Sequence, residues 1–180
     1  LLANGADINA PFGPYGTALQ QASARGHEGL VQLLLDNGAD IDAPGPEHYG
    51  TALQHASESG HERIVQLLLA NGADINAPGS HRTALRRASD EGHERVVQLL
   101  LANGADINAS DGYFYGTALQ GASAEGHDRV VKLLLAKGAD TNAPGGEYYG
   151  TALQRASAEG HQGVVQLLLA KGADINAPGG

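Results

Sequence analysis

The sequence predicts an all-α solenoid of five helix-turn-helix pairs stacked in a row, each unit two short helices and a loop. Three observations carry that expectation. The tripeptide Gly-Ala-Asp begins at Gly5, Gly38, Gly72, Gly104, Gly138 and Gly172, at steps of 33, 34, 32, 34 and 34 residues. Thr-Ala-Leu recurs in step at Thr17, Thr51, Thr83, Thr117 and Thr151, and a Gly-His pair follows each time, at His27, His61, His93, His127 and His161. A Leu-rich helical stripe then closes every period. A unit of about 33 residues is too small to bury its own apolar face, so units of this kind stack against one another.

Within a unit, the first helix opens on Thr17 with Gln20 three residues on, a capping box that satisfies two backbone N–H groups at once. Thr51 with Gln54, Thr117 with Gln120 and Thr151 with Gln154 repeat it, and Arg86 breaks it after Thr83. Ala18, Leu19 and Ala22 form a small, narrow apolar set suited to close packing, and Gly26 supplies a left-handed residue that ends this two-turn helix. The second helix runs from about His27 to Asn37 with Leu30, Val31, Leu33, Leu34 and Leu35 as a broad apolar stripe. Gly38 ends it. The Asn-Gly pairs at 37–38, 71–72 and 103–104 therefore read as helix C-caps and not as hairpin turns. Helices this short are marginal alone, so their stability must come from stacking.

One array fills residues 1–180: a partial unit at 1–16, helix pairs near 17–37, 51–71, 83–103, 117–137 and 151–171, and a bare finger at 172–180. Leu1 and Leu2 look like the last turn of an interrupted second helix and Pro178-Gly179-Gly180 stops within a finger, so truncation at both ends is expected. With no Cys, disulfides and thiol chemistry are excluded. A formal net charge of -9 with acids spread along the chain argues against a nucleic-acid backbone as partner. The longest apolar runs are about five residues against the ~20 that cross a bilayer, so no membrane partner is expected either.

Gly-Thr-Ala-Leu, Ala-Ser, Gly-His, Val-Val-x-Leu-Leu-Leu, Gly-Ala-Asp and Ile-Asn-Ala together resemble the ankyrin repeat, in phase through all five helix pairs. Thr-Ala-Leu-Gln stands where that family usually has Thr-Pro-Leu-His; a Gln that closes a capping box makes the loss of Pro and His tolerable. The resemblance implies an ankyrin-repeat solenoid of L-shaped units whose fingers lie beside the helices and whose concave face binds partners. With helices ~8–10 Å apart, five units span on the order of 50 Å. Arrays with similar units resemble those of large multidomain eukaryotic, notably fungal, proteins that carry a nucleotide-binding switch domain elsewhere.

Candidate recognition residues follow from comparing units within the chain: residues recurring at one phase serve stacking, and those that differ are open to recognition. All eight aromatic residues lie in fingers. Tyr15, Tyr49, Tyr115 and Tyr149 each sit two residues before the Thr and are expected to pack between adjacent fingers. Phe12, Tyr113, Phe114 and Tyr148 do not recur in this way; large rings near a finger tip are interface-anchor material, although scattered exposed rings are also ordinary. The third finger is shortest, with Ser80, His81 and Arg82 leading into Arg86 and Arg87. These arginines form either a notch gripping a carboxylate or phosphorylated peptide, or a solvated helix face neutralised by the pairs Arg86–Asp90 and Arg87–Glu91. Four residues after each Thr come Gln21, His55, Arg87, Gly121 and Arg155, a varying column that should line the concave face.

Catalytic chemistry is not expected. His27-Glu28, His61-Glu62 and His93-Glu94 resemble the start of a zinc-protease helix, but Val31, Val65 and Val97 stand where the second His belongs. The recurring Gly-His histidines read as turn-stabilising. His48, His55 and His81 vary, yet three imidazoles without Cys are weak support for a metal site, and no cofactor is implied. Asn108-Ala109-Ser110 is a glycosylation sequon, meaningful only in a secreted chain. The sequence thus points to a non-catalytic protein-protein interaction module, inside the cell in cytoplasm or nucleus, with a protein or peptide partner that carries an acidic or phosphorylated segment. The alternative is a structural or regulatory arm of a larger nucleotide-dependent switch protein or enzyme. A designed consensus array also fits such similar units, but the unequal fingers speak against it.

Overall fold

The computed structural model describes residues 7–45, 50–77, 82–110, 116–145 and 150–178. Ten α-helices lie among them: α1 (Ala18–Ala24), α2 (Glu28–Asp36), α3 (Ala52–Glu58), α4 (Glu62–Ala70), α5 (Ala84–Asp90), α6 (Glu94–Ala102), α7 (Ala118–Ala124), α8 (Asp128–Ala136), α9 (Ala152–Ala158) and α10 (Gln162–Ala170). Each odd helix pairs with the even helix after it. The odd helices stack on one another in one row and the even helices in a second. The short row is the more closely packed, because its faces are built from Ala.

Local chemistry fixes the helix ends. Thr17, Thr51, Thr117 and Thr151 close capping boxes with Gln20, Gln54, Gln120 and Gln154; Thr83 accepts from Arg86 N–H without the reciprocal bond. Asn37, Asn71 and Asn103 are C-caps, followed by glycines with positive φ. One continuous core runs the length of the array. Leu19, Leu53, Leu85, Leu119 and Leu153 of the odd helices meet Leu34, Leu68, Leu100, Leu134 and Leu168 of the even ones, all buried. Each such side chain contributes about 1.5–3 kcal/mol on burial. The stripe predicted on the even helices is narrower in α2, where Leu30 and Leu33 are exposed, than in α4, where Ile64 and Val65 are buried.

Three polar contacts repeat at the junctions between units. The capping glutamine reaches into the next finger: Gln20 Nε2 donates to Ala43 O (2.7 Å) and Gly50 O (3.0 Å), Gln54 to Ala77 O (3.0 Å), Gln120 to Ala143 O (2.9 Å) and Gln154 to Ala177 O (3.0 Å). The Gly-His imidazole reaches back to the previous short helix. Nε2 of His61, His93, His127 and His161 lies 3.2, 2.9, 2.8 and 2.9 Å from the carbonyls of Ala24, Glu58, Asp90 and Ala124. A carbonyl only accepts, so Nε2 carries the proton. These histidines, expected to be turn-stabilising, act across the junction of two units. The preceding glycine has two reasons to be there: Gly60 has φ +72°, and a Cβ on it would lie 2.7 Å from the His93 ring.

The third contact runs along the fingers. Asn9, Asn76, Asn108 and Asn142 each accept, through Oδ1, the backbone N–H of the next unit's Asp40, Asp106, Asp140 and Asp174, at 2.8–3.0 Å. Asp42 replaces Asn in the second unit and accepts from Asp74 N–H at 3.1 Å. Burial, with Asp74 and Asp40 nearby, raises the Asp42 carboxyl above its ordinary value of 3.8, against the Asp74 N–H, which lowers it. A raised acid stabilises the fold in its protonated form, below the ordinary carboxylate range, and that contribution is lost as pH rises through the folded value.

Three outcomes follow from these junctions. His93→Ala should destabilise the array by about 1–2 kcal/mol, and Gly60→Ala by about 2 kcal/mol or more, through both φ and the ring; urea denaturation followed by circular dichroism measures both. Asp42→Asn should raise Tm by about 1–2 °C at pH 7, with the gain shrinking as the pH is lowered past 4, in thermal melts taken across that range.

Candidate partner-binding surface

Variation between units is concentrated on the short-helix face and the fingers. In the first finger a 3-10 turn at Gly13–Tyr15 is closed by Phe12 N–H to Gly16 O (2.8 Å) and Tyr15 N–H to Phe12 O (3.2 Å). Residues i and i+3 come to one side of such a turn. Phe12 and Tyr15 therefore stack on each other, centroids 6.4 Å apart and planes 29° apart. Phe12 is 75% exposed and Tyr15 54%. Tyr15, expected to pack between adjacent fingers, stacks on its own finger's Phe12, and residues 46–49 of the next finger lie outside the described residues. His48, Tyr49, His81, Tyr113, Phe114, Tyr115, Tyr148 and Tyr149 lie outside the described residues.

Arg86 is the main departure from the sequence reading. It is 2% exposed and is not part of an open notch. Its Nε donates to Asp90 Oδ1 at 2.6 Å and its Nη1 to Thr117 O, the cap of the next unit, also at 2.6 Å. Arg86 stands where the other units have the capping Gln, and it keeps that residue's inward direction and its bond to the following unit. Having no acceptor, it cannot receive the Thr83 N–H, which is why the capping box is incomplete. A guanidinium buried this way needs a counter-charge. Asp90 supplies it, at a position that is Ala24, Ala124 and Ala158 in other units. Arg82 Nη1 reaches the other Asp90 oxygen at 3.2 Å. Burial raises the Asp90 carboxyl, while Arg86 and Arg82 lower it, and burial outweighs them.

Room for this cluster comes from Gly121 of α7. A Cβ there would lie 1.9 Å from Asp90 Oδ1 and 2.3 Å from Arg86 Nε. Arg86, Asp90 and Gly121 are thus one set. Gly121, expected as one of the varying column that lines the concave face, is a fitted contact.

The rest of that column is distributed differently. The pair Arg86–Asp90 forms as expected, but Arg87 turns away from Glu91 and pairs through Nη1 with Glu58 of the preceding unit. His55 is buried, with Nδ1 3.8 Å from the same Glu58 carboxylate. Gln21 Nε2 donates to Tyr15 O at 2.6 Å, and Arg155 is half-buried on α9. The arginines of the third unit therefore stand beside two carboxylates, Asp90, which the sequence reading paired with Arg86, and Glu58, which it left out. Their signal was present: this position is Ala in the other three units and acidic only in the two flanking the arginines.

Among the described residues, no group of three or more His, Cys, Asp or Glu is placed to hold a metal ion, and no helix is long and apolar enough to cross a membrane. The family model described as ankyrin repeats (3 copies) matches residues 1–79, 22–111 and 85–178. A 34-residue stretch, 19% of this chain, is 59% identical to part of the azaphilone pigments biosynthesis cluster protein L of Monascus ruber; the match spans 7% of that protein's length.

The Arg86 cluster predicts an inverted glycine effect. Ala is the better helix former by about 1 kcal/mol, yet Gly121→Ala should cost about 1–3 kcal/mol by overpacking. In an Arg86→Gln, Asp90→Ala background the same change should stabilise. Asp90→Ala alone should cost about 3–5 kcal/mol, because it leaves a buried charge unpaired, and Asp90→Asn should cost less. Chemical denaturation of the five variants decides between fitted contact and inert surface.

Proposed function

The chain belongs to the ankyrin repeat family, and from that premise we propose that it is a non-catalytic protein-protein interaction module acting inside the cell. The observation that supports this best is the division of labour along the array. Residues that recur at one phase, the glutamines, histidines and finger asparagines, are used in joining units, whereas those that vary lie along one face and its fingers. On this reading Phe12, Arg82, Arg87 and Arg155 contact a protein or peptide partner. His48, His81, Tyr113, Phe114 and Tyr148 join them on sequence grounds, His55 lies at the base of the surface beside Arg87, and Arg86 acts from beneath by holding the surface in shape. A partner with an acidic or phosphorylated segment suits the guanidinium groups.

A second reading, that the array is a structural or regulatory arm of a larger switch protein or enzyme, draws support from the Monascus ruber relative, in which the matching unit is a small fraction of a longer chain. In both readings the array binds and does not catalyse.

The test is capture of a partner by the chain, followed by affinity measurement with the purified partner. Phe12→Ala and the pair Arg82→Glu, Arg87→Glu should each weaken binding at least tenfold, while Gln32→Ala, on the opposite row, should leave it unchanged. Undiminished binding by variants whose circular dichroism matches the parent would remove this surface from consideration.

A further inference from the structure

Resting on the reading of the short-helix face as the partner surface, we propose that His55 and Arg87 form a seat for an anionic group on an acidic peptide segment of the partner. Glu58 fills this seat in the free protein. The Glu58 carboxylate is paired with Arg87 Nη1 and lies 3.8 Å from His55 Nδ1, so an imidazole of the second unit and a guanidinium of the third face one carboxylate. The two sides of this arrangement differ in exposure. The side chains of His55 and Arg87 are 9% and 12% exposed, whereas that of Glu58 is 39%. The seat is built in, and its occupant is the member free to turn into solvent.

Three further observations single out Glu58 as the displaceable carboxylate. It is the last residue of α3, where the helix dipole disfavours an anion. Ala24, Ala124 and Ala158 occupy the same position in other units, so stacking does not need a carboxylate there. Asp90, the equivalent residue one unit on, behaves oppositely: only 11% exposed, it is held by both Arg86 and Arg82 and neutralises a buried guanidinium. One carboxylate is locked and its neighbour is a loose cover. A partner carboxylate or phosphate can replace the loose one with little loss, because half-exposed ion pairs are weak.

The probe is an eight-residue glutamate peptide, titrated calorimetrically into the whole chain, with inorganic phosphate as a small-ion comparison. Glu58→Gln and Glu58→Ala should each bind the peptide about two- to fivefold more tightly than the parent, and Arg87→Gln at least tenfold more weakly. If the parent binds and Arg87→Gln weakens it, but neither Glu58 variant binds more tightly, the cover is refuted and the partner surface stands. If the parent does not bind the peptide, or Arg87→Gln leaves binding unchanged, the acidic-partner reading itself fails. Phosphate bound as tightly as the peptide overturns the assignment to a peptide segment. Thermal melts of the Glu58 variants, expected near the parent's, show that a changed affinity is not a changed fold.

Discussion

Neighbouring units hold one another up because neither can close its own backbone or bury its own leucines. At each junction of described units an imidazole reaches back to the carbonyl ending the previous short helix, and a finger carboxamide or carboxylate accepts the next finger's N–H. In four of the five units the glutamine that caps a helix also reaches forward into the next finger. Every one of these bonds spans between 23 and 37 residues of sequence. Stability is therefore a property of interfaces and only weakly of units, as expected for a quasi-one-dimensional fold. The rest of the molecule follows from this, including the conformation of the glycines whose missing Cβ makes room for a histidine ring.

The third unit shows how tightly that arrangement constrains change. Putting Arg86 in place of the capping Gln preserves the forward bond, now to Thr117 O, but brings a charge into the stack. The charge requires Asp90, and the bulk of the pair requires that the next helix carry Gly121. Three positions on two helices change together because the interior is close-packed and a buried ion must be paired. Arg87, one residue on, meets no such demand: its partner Glu58 is half-exposed, and the pair sits at the rim.

Local features were legible in the sequence. Capping boxes, Asn-Gly C-caps and the limits of both helices depend on residues three or four apart, and the sequence displays those spacings directly. The recurrence of Gly-His announced a structural role but hid its nature, since the acceptor of His93 is a backbone carbonyl 35 residues upstream. The second bond of Gln20 was hidden for the same reason. The surface was harder. Arg86 reads as an open cation beside Arg82 and Arg87, and only the stacking direction of the short helix, which turns it fully inward, separates it from them. Tyr15 recurs in phase with later tyrosines, yet in the first finger Phe12 is within reach and takes the ring.

A fold that uses its recurring polar residues at junctions has little freedom left for recognition, and this limits where a partner can be read. Changes inside a junction disturb two units at once, as the Arg86 set shows. Changes at finger side chains outside these bonds, such as Phe12, disturb neither, so sequence can diverge there without loss of the stack. The contrast between Asp90 and Glu58 is the sharpest case, since the two are equivalent in phase and both acidic beside arginine. They differ in their own exposure, 11% for Asp90 and 39% for Glu58, beside arginines that are both largely buried. Burial, more than residue type, separates the part of this surface committed to the fold from the part available to a partner.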